Sequence, residues 1–152
     1  KHPLGDEQYT PRHAVLPIIK FLPRHAVVWC PFDTENSEFV IALKEAGHEV
    51  VFSHIFMGQD FFEYEPPKWD MIVSNPPFSR KQQVVERCLA LGKPFALLLS
   101  NLWLNSSAPC RFSKNGDANT SVRQTDKLLG KERRVFRFEL LLPQGAAQAN
   151  RI

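Results

Sequence analysis

The chain predicts a doubly wound α/β domain with a mostly parallel sheet, and three observations carry that reading. Short β-branched and aromatic runs alternate with segments of helical spacing between about residues 10 and 100. The runs at 26–30, 71–74 and 94–99 are almost wholly apolar instead of alternating, as strands buried on both faces require. The helical segments stop at Pro23, Gly47 and Gly92, residues that end helices for known backbone reasons. The 152 residues, 43% hydrophobic and 23% charged, suffice for one domain with its own core, which excludes a disordered tail or a small stapled peptide.

Taken in order, Thr10 stands as a cap and Pro11 in the first turn of a helix that carries Ala14, Val15, Ile18, Ile19 and Leu22. Ala26-Val27-Val28-Trp29-Cys30 reads as the first strand and Pro31-Phe32-Asp33-Thr34 as a turn. Phe39, Val40, Leu43 and Ala46 then form the apolar face of a helix over 38–46. The second strand is read over 49–55 and the third over Met71-Ile72-Val73-Ser74, with Gly58 and Pro66-Pro67 punctuating the connection. A helix over 84–91 and a strand over 94–99 follow. In such a sheet, ligands sit at the carboxyl ends of the strands, here 30–33, 53–54, 75–78 and 100–103.

Between 112 and 132 the pattern collapses into polar residues without a period, and only 135–142 reads as a further strand. The whole chain, 1–152, is therefore expected to be one domain with a regular core over 9–105 and an atypical tail over 112–152. Two accounts fit the tail: a long surface loop with a terminal strand, or a shift of reading frame between Ser113 and Lys131. The nucleotide sequence of the gene decides between them.

Lys and Arg number 19 against 16 Asp and Glu, a net charge of +3, so nucleic acid is permitted as a partner without being demanded. The three cysteines, Cys30, Cys88 and Cys110, have no metal-ligand spacing and suit a reducing compartment. No apolar run approaches the ~20 residues that span a bilayer. The expectation is a soluble, cytoplasmic protein without metal or membrane.

The sharpest local signal is Asn75-Pro76-Pro77-Phe78, placed directly after the apolar run 71–73 and followed by Ser79-Arg80-Lys81. With it the chain resembles the S-adenosylmethionine-dependent methyltransferases that modify exocyclic or amide nitrogens, and within them the small adenine-N6 enzymes of phages and mobile elements. The resemblance runs from about residue 9 to residue 105 and implies a Rossmann-like methyltransferase fold with incomplete or atypical C-terminal strands. It implies transfer of a methyl group from S-adenosylmethionine to the N6 amine of adenine in DNA or RNA. The residue types suit that chemistry, because the lone pair of the amine is delocalised into the ring. The Asn75 side-chain oxygen and the Pro76 carbonyl can accept its N–H bonds and localise that pair, while two prolines stiffen the loop. Phe78 offers a face on which an extruded base can stack.

The resemblance assigns further residues. Tyr9-Thr10-Pro11 is similar to the element that touches the methionine end of the cofactor, and Cys30-Pro31-Phe32-Asp33-Thr34 to the cofactor loop, although no glycine stands here. Asp33 is then the group for the ammonium. His54, with Ser53, occupies the place of the acid that meets the ribose hydroxyls, and Asp60-Phe61 resembles the pair that meets the adenine amine and covers its ring. Arg80 and Lys81 beside the motif suit a phosphate, with Trp103, Asn105 and Arg111 as weaker candidates for contact with nucleic acid. The same motif serves enzymes that methylate a glutamine amide, which also presents a planar NH2. A different class of function is a non-catalytic binding protein on this fold, which a protein or nucleoprotein partner would complete; a phage inhibitor of a host defence complex is one example.

Overall fold

The structure, a computed structural model, describes residues 10–100, 118–119 and 136–143. Four strands, β1 (Val27–Cys30), β2 (Glu49–Phe52), β3 (Met71–Ser74) and β4 (Phe95–Ser100), lie parallel in the order β2-β1-β3-β4. Two more, β5 (Ala118–Asn119) and β6 (Phe136–Pro143), extend the sheet to the order β2-β1-β3-β4-β6-β5. Strand β6 runs antiparallel to both neighbours and covers β4 from Phe95↔Leu141 to Ser100↔Phe136. The strand expected over 135–142 is thus present, and the last sheet neighbour is only two residues long.

Burial explains the unbroken apolar runs. All four residues of β1 and all four of β3 are buried, whereas β2, at the edge, leaves Glu49 exposed. Because side chains alternate along a strand, Val28 and Cys30 enter one core layer and Trp29 enters the other. The first layer lies under α1 (Arg12–Ile19) and α2 (Glu38–Glu45), through Val15, Ile18, Phe39, Val40 and Leu43. The second lies under α3 (Lys81–Leu91) and the connection that follows β2, through Val84, Val85, Cys88, Phe61 and Trp69. The Asp70 carboxylate accepts from Val27 N at 2.7 Å and the Asp70 N–H donates to Val27 O at 2.8 Å, which fixes β3 against the start of β1.

Gly47 and Gly92 end α2 and α3 at φ +89° and +68°, the left-handed conformation that glycine adopts without strain. Several boundaries differ from the sequence expectation, and α3 begins at Lys81, three residues before the expected 84. The N-cap of α1 is Pro11, with no side-chain capping bond, and Thr10 turns elsewhere. That helix stops at Ile19, before Pro23, and closes in tighter turns, where Phe21 N donates to Ile18 O at 3.0 Å and Leu22 N to Ile19 O at 3.1 Å. Strand β2 stops at Phe52: His54 Nδ1 accepts from Phe56 N at 3.1 Å, and the chain turns into a single 3-10 turn at Ile55–Met57.

Burial also sets a pH dependence. The Cys88 thiol is pushed up to about 12 from an ordinary value of 9.0, chiefly by desolvation, and the Cys30 thiol is raised by desolvation and by the charge of Asp33. The native state therefore keeps protons that the unfolded chain loses above its ordinary thiol value. Stability is expected to fall as pH rises beyond about 9, by up to about 1.4 kcal/mol per pH unit for each thiol. Urea unfolding at about pH 8 and about pH 10 checks this. Cys88→Ala is expected to flatten the decline, and a slope unchanged by that substitution would contradict it.

Candidate functional site

A cavity of about 330 Å³ opens at the carboxyl ends of β1 and β3. Five pieces of chain line it. Thr10 comes from the segment before α1; Phe32, Asp33 and Thr34 come from the loop leaving β1; Ser37, Glu38 and Phe39 form the first turn of α2. His54 and Phe56 come from the turn after β2, and Asn75, Pro76, Pro77 and Phe78 from the loop leaving β3. Parallel β-turn-α units place strand ends and helix starts at one edge of the sheet, so residues distant in sequence meet there.

Hydrogen bonds hold the polar members in place. Asp33 is 8% exposed, and the buried Ser74 hydroxyl donates to its Oδ2 at 2.7 Å, which ties the loops after β1 and β3 together. Asn75 Nδ2 donates to Thr10 Oγ1 at 3.0 Å. The Ser37 hydroxyl accepts from Thr34 N at 2.9 Å, and Ser37 N donates to Thr34 O at 3.0 Å, so a hydroxyl closes this loop tightly without glycine. Below the cavity the Trp29 indole donates to Ser53 Oγ at 2.9 Å, and Ser53 Oγ donates to Pro31 O at 3.5 Å, linking the end of β2 to the loop after β1.

The electrostatics are one-sided. Asp33 and Glu38 bring two carboxylates to the wall, Arg12 reaches Glu38 from outside at 3.8 Å, and no lysine or arginine lines the cavity among the described residues. A ligand carrying positive charge is favoured there over an anion. Among the described residues no cluster of His, Cys, Asp or Glu could hold a metal, and no helix is long and apolar enough to cross a membrane.

Of the residues singled out from sequence, Thr10, Phe32, Asp33, His54, Asn75, Pro76, Pro77 and Phe78 come together in the cavity wall. The others stand apart. Pro11 caps α1, and buried Pro31 offers its carbonyl to Ser53. Asp60 Oδ1 accepts from Phe62 N at 3.0 Å and shapes its own turn. Phe61 is 2% exposed and packs on Trp29 and on Phe32, at 5.4 and 5.0 Å between ring centres, so it backs a cavity residue without reaching the cavity. Arg80 is exposed, with its guanidinium 3.9 Å from the centre of the Phe62 ring and Nε on Gln83. Lys81 is only 6% exposed, its ammonium 3.8 Å from the centre of the Phe78 ring, so it braces that ring from within. Tyr9, Trp103, Asn105, Arg111 and the segment 113–131, apart from 118–119, lie outside the described residues.

Sequence reasoning missed Ser37, Glu38, Phe39 and Phe56 as members of the wall. For the first three a signal existed: the first turn of a helix that follows a parallel strand opens at the ligand edge of the sheet. Phe56 carried none, since reading 49–55 as one strand concealed the turn that brings it there.

No family model and no curated protein matches the chain. Among solved structures, it resembles a protein-(glutamine-N5) methyltransferase (release factor-specific) from Alicyclobacillus acidocaldarius, with 16% sequence identity, a TM-score of 0.50, and coverage of 87% of this chain and 92% of that one. The likeness is one of fold, and with the parallel order β2-β1-β3-β4 it establishes a Rossmann-like α/β architecture for this chain.

Proposed function

We propose that the chain transfers a methyl group from S-adenosylmethionine to a planar NH2 nitrogen, with the N6 amine of adenine in DNA or RNA as the leading substrate. The observation that carries this reading is that Asn75-Pro76-Pro77-Phe78 lines the same cavity as the buried carboxylate Asp33. The cofactor fits the chemistry of the wall. Its ammonium and sulfonium are positive, and among the described residues Asp33 and Glu38 bring carboxylates to the cavity. Asp33 would hold the ammonium, Ser37 offers a hydroxyl, and Phe32 and Phe56 offer apolar faces.

When bound, S-adenosylmethionine supplies an electrophilic methyl group. The chain's own residues prepare the nucleophile. Asn75 Oδ1 and the Pro76 carbonyl accept the two N–H bonds of the amine, which draws its lone pair out of conjugation. Pro76 and Pro77 fix φ on both residues after Asn75, so the acceptors are placed before the substrate arrives. Phe78, braced by Lys81, bounds the place for the planar group. Orientation supplies the larger part of the rate, since no covalent intermediate on the protein is required.

A glutamine amide of a protein is the second reading, and the glutamine-N5 methyltransferase of similar fold favours it. Labelled methyl transfer onto DNA, RNA and glutamine-containing peptides separates the two. Label recovered as N6-methyladenine supports the first, and label on a glutamine amide moves the assignment to the second. Nucleic-acid binding without label on any pool would favour the non-catalytic binding module. For the nucleic-acid reading, Phe78→Ala is expected to weaken binding of a single-stranded adenine-containing oligonucleotide by about 1–3 kcal/mol in a fluorescence-anisotropy titration. Unchanged affinity would remove Phe78 from the base site.

A further inference from the structure

We propose that Thr10 is a positioning residue that sets the orientation of the Asn75 amide, an inference that rests on the reading of Asn75 given above. The two side chains lie 65 residues apart in sequence, yet both are half-buried in one cavity wall, and Asn75 Nδ2 donates to Thr10 Oγ1 at 3.0 Å.

An amide has two unlike ends. A planar amine presents N–H donors, so only the oxygen of Asn75 can serve it, and a turned amide would set donor against donor. The backbone around Asn75 is already restrained: Pro76 and Pro77 fix φ after it, and before it Ser74 is buried with its hydroxyl on Asp33 at 2.7 Å. What these restraints leave open is the terminal torsion of the side chain, which for asparagine is broad and roughly two-fold. With Thr10 Oγ1 accepting from Nδ2, Oδ1 is the end left for the substrate; the hydroxyl could also donate to a turned amide, but the substrate amine, which offers only N–H, selects the orientation shown here. Thr10 is itself placed by the start of α1, where Pro11 O accepts from Ala14 N at 2.9 Å and Ala14 and Val15 are buried. The packing of α1 thereby reaches the reacting nitrogen through one hydroxyl.

Thr10→Val removes that hydroxyl at nearly constant shape, and Thr10→Ser keeps it. The side-chain amide of Asn75, identified in a nitrogen-proton correlation spectrum by its loss in Asn75→Asp, reports the bond in the free protein without catalysis. Its exchange with solvent is expected to be about tenfold faster in Thr10→Val and close to wild type in Thr10→Ser. In steady-state methyl transfer, Thr10→Val is expected to lower kcat about tenfold with KM for S-adenosylmethionine unchanged, and Thr10→Ser to restore it. Equal exchange in wild type and Thr10→Val overturns the proposal, as does a loss confined to KM for S-adenosylmethionine, which would place the hydroxyl on the cofactor instead. A wild-type protein without methyl transfer overturns the proposed function, and the exchange measurement alone then decides the role of Thr10.

Discussion

Asn75→Ala is expected to lower the rate of methyl transfer by about 10²- to 10³-fold while leaving the fold and the affinity for S-adenosylmethionine in place. The asymmetry follows from what Asn75 does in each state. In the resting protein its side chain donates to Thr10 on a half-buried loop, and a bond of that kind is worth about 0.5–1.5 kcal/mol to stability. In the proposed reaction its oxygen would face the amine as positive charge develops on nitrogen, and a preorganised partner for developing charge is worth about 2.7–4 kcal/mol. The second effect exceeds the first, so turnover is lost well before structure. Circular dichroism and thermal melting check the fold, calorimetry checks the cofactor, and initial rates check the chemistry. Rates within threefold of wild type would remove Asn75 from the reaction.

Trp29→Ala is expected to destabilise the protein by about 3–5 kcal/mol, a large share of the about 5–15 kcal/mol that holds a domain together. Trp29 is fully buried on β1, with Trp69, Phe61 and Tyr64 around it at 5.2, 5.4 and 6.4 Å between ring centres. Truncation opens a cavity among these rings and takes from the buried Ser53 hydroxyl the donor that holds it at 2.9 Å. Because Ser53 also ties the turn after β2 to Pro31, slackening at Trp29 reaches the loop that carries Phe32 and Asp33. Trp29→Phe keeps most of the packing and loses the indole bond, so a smaller loss of about 1–2 kcal/mol is expected. Denaturant unfolding measures both, and a change below about 1 kcal/mol for the alanine variant would contradict this account of the second core layer.

The sheet was legible because its physics is local. Strands β1 and β3 are buried on both faces and so contain almost nothing but apolar residues, and Gly47 and Gly92 stop helices through a backbone conformation written in one letter each. That Asn75 to Phe78 line a cavity was legible because a loop directly after a buried parallel strand opens at the ligand edge of the sheet. Other features depend on tertiary contacts that no spacing encodes. Ile55 belongs to a run that reads as strand, yet a hydrogen bond from Phe56 N to His54 Nδ1 diverts the chain there. Lys81 reads as a phosphate contact, yet it is buried with its ammonium over the ring of Phe78. Phe61 reads as a ligand cover and packs instead behind Phe32, because Trp29 and the backbone of Phe61, which accepts from Arg87 Nε at 2.5 Å, hold it in the core. The absence of glycine after β1 reads as a defect in the loop, while Ser37 closes that loop through its own hydroxyl.

The proposed function requires that the cavity between the loops leaving β1 and β3 hold S-adenosylmethionine. Calorimetric titration of the folded protein with S-adenosylmethionine and with S-adenosylhomocysteine tests it most directly. Saturable binding of both in the micromolar range, weakened about tenfold or more by Asp33→Asn, is the expected result. Absence of binding to folded wild-type protein, or binding indifferent to Asp33, would contradict it.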